Sequence, residues 1–202
     1  MAKVWNFIFF QMGWFACVLG AANGQAFWAV LGTLLYVLFH VWQSEDKRAE
    51  GILLFKALIY GVSADSLIMN MGFLGFNDVW PSQYLSPAWM WALWVLVAST
   101  INGSLYWLKG KPILGMVLGA IAGPLSYEAG MKLGAGNWGM GSKWPGIVLI
   151  AVVWAIAIPL FFYWNKTTSD RALEKNLEIP WGEGLQELLF LYTVTSKLLS
   201  SQ

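Results

Sequence analysis

Residues 146–164 read GIVLIAVVWAIAIPLFFYW, nineteen in a row without a charge. A helix rises about 1.5 Å per residue, so roughly 20 such residues cross a hydrocarbon core about 30 Å thick. Five stretches upstream share this character and length: Val4–Ala22, Gln25–Trp42, Ile52–Asn70, Ala88–Trp107 and Ile113–Gly134. Short polar segments separate them, among them Asn23-Gly24, the charged run Ser44–Glu50, and the Lys109-Gly110-Lys111-Pro112 turn. In lipid every backbone N–H and C=O must be satisfied within its own segment, and no stretch shows the alternation of a barrel strand. The sequence therefore predicts an all-α, polytopic integral membrane protein of six transmembrane helices.

Composition agrees. Of 202 residues, 58% are hydrophobic and 11% charged, against about 25% charged in soluble domains. Fourteen tryptophans suit membrane interfaces, where an apolar ring carries one polar N–H. A net charge of +1 supplies no basic patch for nucleic acid. A single cysteine, Cys17, and a single histidine, His40, exclude an internal disulfide and metal sites built on several Cys or His. No cofactor or metal is expected.

The loops set the orientation. With the N-terminus inside, the inner segments carry Lys3, Lys47, Arg48, Lys109, Lys111, Lys166, Arg171, Lys175 and Lys197, and the outer loops only Lys132 and Lys143. That bias places both termini in the cytoplasm. Trp5, Trp42, Trp107 and Trp164 fall at inner ends, and Trp28, Trp80, Trp89, Trp138 and Trp144 at or near outer ones. The first span resembles a signal peptide in length, but Asn6, Gln11 and Trp14 interrupt it and a tight turn follows, so it is expected to stay. The 166–202 tail is expected to be cytoplasmic, with a short amphipathic or interfacial helix near 184–199 carrying Leu185, Leu188, Leu189 and Tyr192 on one face. That tail is the expected contact for a protein partner.

An ionisable group at mid-membrane costs about 2.5–3.5 kcal/mol or more, so each one needs a reason. Lys56 lies only about 6 Å inside the inner boundary, close enough to snorkel. Asp65 lies about 20 Å along the third span and Glu128 about 22 Å along the fifth, which runs the same way. The two acids thus sit at matched depth. If their helices touch, they share a polar pocket with Ser66, Asn70 and Tyr127, walled by Trp94 and Trp154. The bland alternative pairs Glu128 with Lys132 at i, i+4 and Asp65 with nearby hydroxyls.

Gly115, Gly119 and Gly123 form two overlapping G-x-x-x-G patterns and Gly130 with Gly134 a third. Small residues in register let helix backbones approach in lipid. Pro124 follows directly and is expected to kink the helix, which marks the fifth helix as the central one. His40 reads as an interfacial residue, and Asn6, Ser99, Thr100, Asn102 and Ser104 as interhelical packing. Gly134 to Gly139 matches G-x-G-x-x-G, but it lacks the βαβ setting a dinucleotide site needs.

Several motifs in order carry a family likeness. Asn6, Gln11, Trp14 and Gly20, then Asp65-Ser66 with Gly72, then Pro87-Ala-Trp-Met90 with Leu93-Trp94 stand in sequence. Gly123-Pro124-Leu-Ser-Tyr127-x-x-Gly130, Leu133-Gly134-Ala135, and Trp154 with Pro159 follow. Together, over residues 4–165, the chain resembles a bacterial inner-membrane family catalogued as a domain of unknown function (number 2878). The resemblance implies a multi-pass protein of the bacterial cytoplasmic membrane, set beside lipid-modifying functions, with no assigned activity.

Three functions fit these readings: binding or moving a lipid or small solute through the polar pocket, an accessory or scaffold subunit of a lipid-modification system, and, ranked behind both, a membrane-embedded enzyme using carboxylate acid/base chemistry. Membrane lipids are the expected partners in each case. The sequence leaves the ligand and the oligomeric state open.

Overall fold

The structure, a computed structural model, describes residues 3–139 and 141–165. These residues make one compact unit. The helix expected near 184–199, with the rest of the 166–202 tail, lies outside the described residues.

Six α-helices run in order: α1 Lys3–Ala22, α2 Ala26–Gln43, α3 Lys47–Asn70, α4 Ala88–Ala98, α5 Pro112–Lys132 and α6 Trp144–Trp164. Two three-residue strands, β1 Leu74–Phe76 and β2 Gly136–Trp138, pair antiparallel with Leu74 opposite Trp138. All helices except α4 are long and apolar enough to cross a membrane. The outside of the unit is apolar too: Leu38, Ile113, Leu125 and Val148 are each more than half exposed. A soluble surface of that kind would aggregate, whereas lipid covers it at no cost.

The helices form three hairpins, and α1, α3 and α5 end alike. Gly24, Gly72 and Gly134 take positive φ (65°, 81° and 90°). After each glycine the next N–H turns back onto the helix, Gln25 to Gly20 O, Phe73 to Ile68 O and Ala135 to Gly130 O. This is the Schellman stop, which a Cβ would strain. After α3 and α5 the chain goes straight into β1 and β2, so the second and third hairpins are tied at one end. Asp78, beyond β1, accepts the Ala26 N–H at 2.8 Å and so caps α2, which has no side-chain cap of its own. All three hairpin turns thus gather at this ribbon end.

The glycines of the loop that matches G-x-G-x-x-G have a steric purpose. A Cβ on Gly136 would come 2.3 Å from Gly75 O, and one on Gly139 would come 1.7 Å from Gly72 O.

Two expectations about the helices need correction. The central helix is α4, not α5: from Ala88 to Ile101 most side chains are buried, including Trp89, Trp94, Leu96 and Ile101, while α5 shows Ile113, Val117, Ile121 and Leu125 outward. Gly61 and Gly13 make room for it, since a Cβ on them would lie 2.0 Å from Trp94 Cγ and 2.6 Å from Leu96 Cδ1. Nor is 88–107 one continuous helix. The α-helix stops at Ala98, tight turns follow, and a 3-10 turn covers Tyr106–Leu108. Ser99 Oγ and Thr100 Oγ1 bond back to Leu96 O and Val97 O at 2.7 and 2.5 Å, a competition with the helical ladder that loosens it. Irregular backbone at this depth is tolerable only inside protein, and Ser99, Thr100 and Ile101 are buried.

The glycine stripe packs α5 on α6, as its spacing predicts. A Cβ on Gly119 would meet Trp154 O at 2.2 Å, and one on Gly123 would meet Trp154 Cγ at 2.3 Å. The third pattern differs, because Gly134 serves the helix stop described above.

Candidate functional site

Asp65 is 1% exposed on α3. Its two oxygens each accept one bond, Oδ2 from Trp94 Nε1 at 2.7 Å and Oδ1 from the Tyr127 hydroxyl at 2.6 Å. The carboxyl therefore links α3, α4 and α5 at one point. Trp94 stacks on Trp154 of α6, with centroids 4.5 Å apart and planes 17° from parallel. All four candidate residues Asp65, Trp94, Tyr127 and Trp154 meet here. Among the described residues, the buried Trp154 indole N–H meets no hydrogen-bond partner.

The other three candidates lie elsewhere. Glu128 accepts from Trp138 Nε1 at 2.8 Å and Lys143 Nζ at 2.9 Å, with Lys132 Nζ at 3.6 Å. None of these groups touches Asp65, so matched depth does not bring the acids together: one turns into the bundle and the other to the ribbon-end loop. Ser66 Oγ accepts the Ser86 N–H at 2.8 Å, and Asn70 Nδ2 bonds Ser66 O and Tyr84 O at 2.7 and 2.8 Å. Ser66 and Asn70 fasten the loop before α4 to α3. Beside Tyr127 remains a cavity of about 30 Å³, lined by Trp14, Met90, Leu93 and Ser126 among others, large enough only for water.

A second polar cluster, built on the buried His40, Glu50, Asn6 and Asn165, sits at the opposite end. His40 Nε2 and Glu50 Oε1 are 2.8 Å apart, and Glu50 Oε2 accepts from Asn102 Nδ2 at 2.7 Å. Asn102 and Asn165 exchange amide bonds at 2.8 and 2.6 Å. Nearby, Asn6 donates to Ser99 O and Tyr36 Oη at 3.1 and 3.2 Å and accepts from Ser104 N and Oγ, both at 2.9 Å. A Cβ on Gly103 would lie 2.3 Å from Asn6 Oδ1. Asn6 satisfies backbone that α4 leaves behind, at Ser99 O and Ser104 N, while Glu50 and Asn165 hold the Asn102 side chain. His40 is thus buried rather than interfacial, and Glu50 belongs to the interior, not to a solvated charge run. The missed signal was Asp46, which caps α3 through the Ala49 N–H at 2.9 Å and starts the helix five residues before the apolar edge at Ile52.

On the outside, α3 and α6 leave a groove of about 750 Å³. Phe55, Ile59, Leu67, Met71 and Val152 line it with Ser63, and Lys56 is its only charged side chain. Lys56 Nζ stands 5.6 Å from the Trp164 ring centroid at one end. Tyr60 forms the floor, its hydroxyl donating to Val153 O at 2.7 Å and its ring edge-on to Trp94. A smaller groove of about 480 Å³ between α5 and α6, around Pro124, has only apolar side chains.

Among known sequences, the model of a family described as a protein of unknown function (DUF2878) matches residues 3–160. No curated protein and no solved structure matches the chain.

Proposed function

From a chain that belongs to the DUF2878 family, we propose a lipid-binding protein of the bacterial inner membrane, spanning it six times with both termini in the cytoplasm. The membrane-bound character rests on the apolar helices. The orientation is supported by the loop charges and by where the described cations sit. Lys3 and Lys109 lie over Tyr106, Lys111 over Trp107 and Lys56 over Trp164, an aromatic–cation belt of the kind found at an inner interface.

The observation that carries the binding reading is the α3–α6 groove. It is open to lipid, apolar along its length and charged at one end only. The Asp65 cluster is its rigid backing rather than its ligand site, because both carboxyl oxygens are already taken and Trp94 and Tyr127 are buried. Burial among these donors, away from the groove, argues against carboxylate catalysis at Asp65. An accessory role through the α5 glycine stripe is weakened as well, since α6 covers that stripe.

The test fills the groove. Ser63→Phe should abolish co-purifying lipid in native mass spectrometry, while Ala120→Phe in the α5–α6 groove should leave it. Equal lipid retention in Ser63→Phe and wild type refutes the reading.

A further inference from the structure

We infer that the groove selects an anionic phospholipid, with its phosphate seated on Lys56 and one acyl chain running toward Met71. The inference rests on the groove reading above and adds the chemistry of the headgroup.

Lys56 is the starting point. An ammonium has three N–H donors and no acceptor. The face of Trp164 attracts its charge but accepts none of those donors in a strong bond. Among the described residues no carboxylate pairs with it, whereas Lys132 and Lys143 both reach Glu128. The groove lining holds no acidic side chain that would repel an anion. A phosphate oxygen supplies an acceptor and a negative charge together.

Geometry fixes the direction. From Lys56 to Met71 the groove follows about fifteen residues of helix, roughly 22 Å. One leaflet is about half of a 30 Å core, roughly 15 Å. A chain whose head is held at Lys56 can therefore lie in the groove for a full leaflet depth. Charge at one end only gives the amphiphile one orientation. Lys56 is also near the end where the loop cations cluster, and anionic lipids concentrate at the cytoplasmic surface. An uncharged diacylglycerol would fill the same groove and leave the ammonium unpaired.

Purified full-length protein is mixed with phosphatidylglycerol, with diacylglycerol of the same chains, or with oleate, and retention is read by native mass spectrometry. Phosphatidylglycerol should be held about tenfold more tightly than diacylglycerol, the scale of one charge-assisted hydrogen bond. Lys56→Gln should erase that preference, and Lys56→Arg should keep it. An unchanged preference in Lys56→Gln, or oleate outcompeting phosphatidylglycerol, overturns the inference. Ser63→Phe separates the two proposals. If it loses every lipid while wild type shows no headgroup preference, the groove stands and the phosphate contact falls. If it still binds phosphatidylglycerol through Lys56, the contact stands and the groove falls.

Discussion

Removing the Tyr127 hydroxyl should cost stability only while Asp65 is there to need it. Interhelical hydrogen bonds in membranes average about 0.6 kcal/mol and reach about 1.7, because the separated helices find other partners. The Tyr127–Asp65 bond belongs above that average: it is 2.6 Å long, ends on a carboxyl, and joins residues that are 7% and 1% exposed. Tyr127→Phe leaves Oδ1 of Asp65 without a donor, at a cost of about 1.5–3 kcal/mol. Asp65→Leu strands two donors, Trp94 Nε1 and the Tyr127 hydroxyl, and should cost more than Tyr127→Phe. In the double variant one of those stranded groups is gone, so the costs should not add. The expected coupling is about 1.5 kcal/mol or more, read by reversible SDS unfolding in bicelles followed by tryptophan fluorescence. Asp65→Asn serves as the control. A tyrosine hydroxyl can turn from donor to acceptor, so the amide oxygen can keep Trp94 while its NH₂ serves Tyr127. Costs that add to within about 0.5 kcal/mol would show that the two residues do not interact.

Other outcomes follow from the same geometry. Gly119→Leu drives a side chain into the Trp154 carbonyl, 2.2 Å from the added Cβ. Backbone cannot move aside as a side chain can, so a loss of about 3 kcal/mol or more is expected, read as aggregation on size exclusion. Glu50→Ala leaves the buried His40 Nε2 without its partner and takes one of two acceptors from Asn102 Nδ2, and should cost about 2 kcal/mol by the same unfolding assay. Glu50→Gln retains an acceptor and should cost less. On a Cys17→Ser background, a cysteine at Ser82 should react with an impermeant maleimide on intact cells and one at Ser44 only after lysis. The opposite pattern would reverse the proposed orientation.

The helices were legible because lipid simplifies the signal: a run such as residues 146–164 has one outcome. Which helix lies at the centre was not legible. Every helix is apolar on nearly every side, so apolarity does not separate lipid contact from protein contact. The glycine stripe marks α5 as closely packed, but a stripe needs only one neighbour, and α6 supplies it. For α4 the clues were bulk and polarity together. Trp89 and Trp94 demand space, which Gly61 provides for Trp94 across the interface, and Ser99 and Thr100 loosen the helix end. Depth proved a weak guide to the site. Residue spacing predicts one height for Asp65 and Glu128, yet a carboxyl's direction around its helix decides its partners. The nearby Lys132 and the Lys143 loop offered Glu128 cations, and only indole and phenol faced Asp65.

The two buried acids of α3 divide one task between them. Asp65 holds Trp94, and Glu50, fifteen residues and about 22 Å away along the helix, holds Asn102. These partners lie on either side of the point where α4 stops being helical. An 11-residue α-helix is about 16 Å long and cannot cross alone. The chain after it is irregular: Asn6 bonds Ser99 O and Ser104 N, while Glu50 and Asn165 hold the Asn102 side chain. α3 and the fourth segment are thereby pinned at two levels, whereas α3 and α6 share, between side chain and backbone, the Tyr60–Val153 bond. Polar side-chain links are thus fewer at the α3–α6 seam than between α3 and the fourth segment, and aromatic contacts of Tyr60 with Phe161 and Trp164 make up much of the rest. The groove opens there, and a lipid that fills it would add apolar packing along that seam.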